Sequence, residues 1–144
     1  MRIFPALAAA AFVCGGLAAP AFADALPMDT PITVNGITTV CTGVGEDAQH
    51  DPRWMAYPVR IEFSNNGAQY LTGATVTLKN GAGKVLSVID CGGAWVLFQL
   101  VPGDYSVSAT LDGSQVPAVS ARFSPPAQGQ KRVVLTFKGV PADE

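Results

Sequence analysis

The run CTGVGEDAQHDPRW, Cys41 to Trp54, gathers a cysteine, the carboxylates of Glu46, Asp47 and Asp51, the only histidine of the chain, an arginine and a tryptophan. Three chemistries could use such a set. A metal site would draw on Glu46, Asp47, His50 and Asp51. One imidazole with flexible carboxylates is a weak donor set for zinc or copper, and the ligand rhythm of a calcium-binding EF-hand loop is absent. A hydrolytic site would need a base beside an activated hydroxyl, or two carboxylates flanking a scissile bond. His50 is the sole candidate imidazole, no G-x-S-x-G elbow occurs, and Glu46 and Asp47 are adjacent in sequence with nothing to place them across a cleft. Ser87, Ser106, Ser108 and Ser120 read as solvent-facing positions on strands.

The third chemistry is ligand stacking. Trp54 and Trp95, if flat and exposed on one surface, would offer rings to a sugar, with Asp51, His50, Arg53 and Gln99 as polar neighbours. The structural alternative is that Cys41 staples the start of this loop, Trp54 packs its far end, and Arg53 pairs with a loop carboxylate. That account explains more of the residues and is the favoured one, so no catalytic residue and no cofactor is assigned.

The chain that must position these groups has 144 residues and a formal net charge of −2. This fits a single domain and gives no basic field for nucleic acid. Its first segment, MRIFPALAAAAFVCGGLAAPAFADA, carries Arg2, an apolar stretch through Leu17 and a small-x-small site at Ala21-Phe22-Ala23. Residues 1–23 therefore read as a secretory signal peptide, with a mature chain starting at Asp24. Pro5, Gly15, Gly16 and Pro20 break the apolar run, which is short for a membrane span. Lipidation at Cys14 is disfavoured by the bulky Phe12 and Val13 before it. The expected location is periplasmic or secreted.

Two cysteines remain after residue 23, Cys41 and Cys91, and in an exported chain such a pair oxidises. Closing a loop of about 50 residues is worth about 4 kcal/mol in the chain-entropy account.

From Asp24 onward, short alternating runs separated by Gly, Pro, Asn and Asp indicate an all-β domain over 24–144. In ITVNGITTVCT, Asn35-Gly36 supplies the two positive-φ residues of a type I′ hairpin. Tyr57, Val59, Ile61 and Phe63 form a core face, with Pro58, Arg60, Glu62 and Ser64 on a wet one. Ala74, Val76 and Leu78 point inward, and NGAG before Lys84 turns the next hairpin. The run from Val85 leads into AWVLFQLV, apolar on both faces and hence covered twice. Tyr105, Val107, Ala109 and Leu111 alternate next, followed by Val119, Ala121 and Phe123, then Val133, Leu135 and Phe137. Roughly seven strands at this spacing favour a two-sheet sandwich. Pro125-Pro126 reads as an edge connection, and the PADE tail as frayed.

The stretch Tyr70 to Gly113 resembles the carboxypeptidase regulatory-like domains, which are transthyretin-like (prealbumin-like) sandwiches related in architecture to immunoglobulin-like ones. The likeness rests on Leu71, Gly73-Ala74 and Val76 in one strand, on Leu100, Pro102-Gly103 and Tyr105 in a turn and strand, and on the closing Gly113. It covers about a third of the chain. The chain departs from the pattern in having Cys91 before the central strand and no catalytic domain beside it, features that look like stand-alone exported bacterial proteins. The resemblance implies a module that supports, positions or binds, with a protein or glycan partner at the cell envelope. Edge strands of such folds can pair between protomers, so a dimer is compatible with the sequence without being indicated.

The second face of Trp95-Val96-Leu97-Phe98 needs a cover. The 44–55 connection is expected to fold back over it, held by the disulfide at one end and Trp54 at the other, with a partner chain as the rival cover.

Overall fold

The computed structural model describes residues 22–140, so most of the expected signal segment, with Cys14, and the PADE tail lie outside the described residues. Ten strands run in chain order: β1 (Asp24–Ala25), β2 (Ile32–Val34), β3 (Ile37–Thr42), β4 (Val59–Asn65), β5 (Ala74–Asn80), β6 (Val85–Cys91), β7 (Trp95–Phe98), β8 (Tyr105–Leu111), β9 (Val119–Phe123) and β10 (Lys131–Phe137). They form two five-stranded sheets, ordered β1-β6-β5-β8-β9 and β10-β4-β7-β3-β2.

The fold is thus an all-β sandwich with ten strands in place of the expected seven or so. β1 and β2 are two and three residues long, too short for alternation to reveal. β1 exists because its backbone adds in parallel to β6, continued by the Leu26 N–H to the Asp90 carbonyl at 3.0 Å.

The core lies between the sheets. Ala74, Val76, Leu78, Ile89, Val107, Ala109 and Phe123 face it from the first sheet, and Val59, Ile61, Phe63, Val96, Phe98, Val133, Leu135 and Phe137 from the second. Each buried Phe, Ile or Leu removes enough apolar area from water to contribute about 1.5–3 kcal/mol. The β2–β3 hairpin turns at Asn35 and Gly36, both at positive φ, as the type I′ geometry demands. The chain crosses between sheets after β9, so β10 lies parallel to β4 over seven residue pairs. The connection starts at Pro125-Pro126, beside an edge strand where the missing N–H groups cost nothing.

Cys41 and Cys91 are disulfide-bonded with Cα atoms 5.5 Å apart, tying β3 of one sheet to β6 of the other. This bond is consistent with an oxidising compartment. No helix among the described residues is long and apolar enough to cross a membrane.

Two expected faces are corrected. Pro58, just ahead of β4, and Glu62 and Ser64 on it are buried, because the outer face of the second sheet is roofed by Arg60 and by side chains from other elements. Ser87 is also buried, facing the core on the same side of β6 as Ile89, and its hydroxyl has no partner among the described residues.

Candidate ligand-binding cleft

The loop that holds most of the chemically able residues is a tie. After β3, Gly43 takes φ +93° and lies against the Trp95 ring, where a Cβ would sit 2.6 Å from Cγ. A single helical turn, α1 (Glu46–Gln49), follows, and Gln49 Nε2 reaches back to the Gly43 carbonyl at 2.9 Å. Asp51 then caps a 3-10 turn at Pro52–Ala56. Its carboxylate accepts the Arg53 N–H and pairs with the Arg53 guanidinium at 2.8 Å. Those hydrogen bonds hold the Asp51 carboxyl below its ordinary range.

Arg53 lies over Trp54, 4.5 Å from the ring centroid. Trp54 is buried against Val40, Tyr57 and Leu97, so this end of the loop does fold back over β7. Gln130 Nε2, just ahead of β10, bonds to the carbonyls of Trp54 (2.8 Å) and Tyr57 (3.0 Å) and anchors the fold-back.

Trp95 has a different roof. Arg60 stacks on it at 4.3 Å and Tyr70 meets its ring edge-on at 5.9 Å. Both indoles are only 3% exposed. The flat, exposed pair that sugar stacking on Trp54 and Trp95 requires is therefore not present. His50 is exposed, and the structure does not assemble Glu46, Asp47, His50 and Asp51 into a donor set: among the described residues no group of three or more His, Cys, Asp or Glu side chains could hold an ion. Gln99 is exposed after β7, on the loop that leads to β8.

Glu62 centres a second cluster on the same outer face. Arg132 of β10 grips both carboxylate oxygens, and Arg60 donates through Nε at 2.9 Å. Burial pushes the Glu62 carboxyl up, but the hydrogen bonds from Arg132 and Tyr70 and the charge of Arg60 outweigh it and hold the group below its ordinary value. The same carboxylate raises the Arg132 guanidinium. The buried carboxylate is compensated twice over, and Arg132, 54% exposed, keeps the surplus positive charge in contact with water, which suits a structural role.

The concave site lies elsewhere, where three strands of the first sheet end together. The strand register sets Asn80 beside Tyr105 and Tyr105 beside Phe123, and in the adjoining row Lys79 beside Ser106 and Ser106 beside Arg122. Around these ends opens a cleft of about 520 Å³, walled by the β5–β6 turn at Asn80, Gly81 and Gly83, by Asp104, Tyr105 and Ser106, and by Arg122, Phe123 and Ser124. Its volume falls in the range of small-molecule sites.

Local bonds make these walls rigid. Asn80 Oδ1 accepts the N–H groups of Ala82 and Lys84, both at 3.0 Å, which fixes the turn. Gly81 approaches Asp104 so closely that a Cβ would stand 3.2 Å from its carbonyl oxygen. Ser124 donates to Asp104 Oδ1 at 2.8 Å, and the Tyr105 hydroxyl to the Val101 carbonyl at 2.9 Å. The Tyr105 ring stacks on Phe123 at 5.9 Å with 19° between planes. What remains is the Arg122 guanidinium, the Ser106 hydroxyl and the Asp104 carboxylate, a set suited to holding a polar ligand.

The turns at Asn80, Asp104 and Ser124 are visible in the sequence, but only strand register brings them together.

No family model and no curated protein matches this chain.

Proposed function

We propose that this protein is a non-catalytic, exported β-sandwich, periplasmic or secreted, of the carboxypeptidase regulatory-like and transthyretin-like kind, which works at the cell envelope as a binding or scaffolding module. The observation that carries the binding role is the cleft at the ends of β5, β8 and β9. It is a preformed concavity with its polar groups held in place, on a sandwich whose sheets are cross-tied by the Cys41–Cys91 disulfide. Binding sites of this type are concave, largely preformed and few per protein. Export is supported by the leader-like residues 1–23 and by the disulfide.

The alternative, a carbohydrate-binding module, keeps its force only if relocated from Trp54 and Trp95 to the cleft, because both indoles are covered. The metal-binding or hydrolytic reading centred on His50 is the less favoured one: among the described residues no group of three or more His, Cys, Asp or Glu side chains is placed to hold an ion.

The test is an NMR titration of the mature chain with panels of oligosaccharides and short peptides. Shift changes concentrated at residues 80–84, 104–106 and 122–124 are the expected result. Saturable changes confined to Trp54, His50 and their neighbours would move the site back to the opening loop and defeat this assignment.

A further inference from the structure

Arginines commit themselves in this protein. Arg53 pairs with Asp51, and Arg60 and Arg132 both pair with Glu62. Arg122, on β9 at the rim of the cleft, is the one arginine among the described residues with no carboxylate partner. Asp104 lines the same cleft without forming an ion pair to it, and one of its oxygens is taken by Ser124. An arginine recognises carboxylates through a planar donor fork. A carboxylate placed away from that fork accepts hydroxyl or N–H donors. The Ser106 hydroxyl lies in the row beside Arg122, and strand alternation sets both on the face of the sheet away from Tyr105 and Phe123, whose rings pack on the core.

We propose that this cleft is a subsite for an acidic sugar residue within a glycan chain. The uronate carboxylate sits on Arg122, and ring hydroxyls donate to Asp104 and exchange hydrogen bonds with Ser106. The proposal rests on the binding-module reading above and names its ligand class. A doubly charged phosphate fits less well, because Asp104 would repel it. A peptide adding to the edge of β9 is discouraged by Pro117 on one side of the strand and Pro125 and Pro126 on the other, which withhold N–H groups and bend the chain away from the strand direction. The cleft is open, as a site for one residue of a longer chain must be.

The experiment measures binding of a galacturonic acid tetramer and of its carboxyl-reduced, neutral counterpart to the mature protein at low ionic strength. The probes are applied to wild type, Arg122→Gln, Ser106→Ala and Arg53→Gln. Thermal melts confirm that each variant is folded. The wild type is expected to prefer the acidic tetramer by about tenfold, the size of one charged hydrogen bond. Arg122→Gln should bring the two probes to parity, Ser106→Ala should weaken both, and Arg53→Gln, outside the cleft, should leave the preference intact. Added salt should weaken only the acidic probe.

Equal binding of the two tetramers by wild type, or an acidic preference that survives Arg122→Gln, overturns the proposal. If neither tetramer binds but a peptide shifts the cleft resonances, the uronate assignment falls and the binding module stands. If no probe of either panel perturbs the cleft, both fall.

Discussion

Arg60 and Trp95 stack across the β4–β7 pairing, the guanidinium carbon 4.3 Å from the ring centroid, while the same guanidinium bonds to Glu62 on its own strand. Arg60 therefore shares the roof of the indole with Tyr70 and the neutralisation of the buried carboxylate with Arg132. The outer face of the second sheet becomes a second packed layer, and the apolar run at β7 can be buried on both sides.

Removing Glu62 should show how much that layer depends on its charge. Glu62→Ala leaves two arginines facing each other without a counter-ion, and because Arg132 is 54% exposed the loss should fall below the cost of about 3–5 kcal/mol for breaking a fully buried pair. Arg132→Ala should cost less, because Arg60 still compensates the carboxylate. Urea denaturation of the two variants checks the order, and equal midpoints would show that Arg60 contributes nothing to Glu62. The pH dependence has a definite sign. The folded carboxyl lies below its ordinary value of 4.5, so its contribution is present in full above about pH 4.5 and fades as pH falls towards the folded value. Glu62→Gln should flatten the acid limb of the stability profile.

The disulfide joins the sheets from β3 to β6, and β3 leads directly into the loop that roofs β7. Replacing both cysteines with serine should cost about 4 kcal/mol through the freed loop. It should also loosen Gly43 against Trp95, so tryptophan emission should move to longer wavelength and a hydrophobic dye should bind. Loss of stability with unchanged emission would mean that the roof holds independently of the staple.

Much of the core was legible in the sequence because each strand there has one apolar face. Ala74-Val76-Leu78 and Val133-Leu135-Phe137 alternate with period two and point inward as that period requires. The alternation failed at Glu62, where strand periodicity marks the outer face but cannot report that Arg132, 70 residues further on, closes over it. Ser87 departs in the opposite way: its spacing from Ile89 sets it inward, although its polarity favours the solvent face. The Cys41–Cys91 pairing followed from there being two candidates. The cleft could not be read in advance, since residues near 80, 105 and 123 become neighbours only through the registers of β5, β8 and β9. The loop with the most reactive residue types proved to be a tether, because composition says nothing about convergence.

Gly43 should not tolerate a side chain. Its φ of +93° is rarely adopted by other residues, and a Cβ would stand 2.6 Å from the Trp95 ring. Gly43→Ala combines backbone strain with overpacking, an expected loss of about 2–4 kcal/mol. Gly45→Ala, also at positive φ but with open space around it, should lose only the strain part. Similar melting temperatures for the two variants would show that the Trp95 contact is not what fixes Gly43.

Asp90 should respond to pH in the direction opposite to Glu62. Its carboxyl is raised above the ordinary value of 3.8, first by a hydrogen bond shared with Asp112 and then by burial and by the Asp112 charge. A raised carboxyl holds its proton more tightly in the folded chain, so stability falls as pH rises from about 3.8 through the folded value. Asp90→Asn removes one of the two like charges while keeping a group that can hydrogen-bond to Asp112, which also accepts from Thr75 through Oδ1. The variant should therefore melt higher than wild type at pH 7 and at nearly the same temperature at pH 3. A gain at both pH values would point to packing, and a loss at pH 7 would mean that the two carboxylates are held apart by a bound cation or by solvent and do not oppose folding.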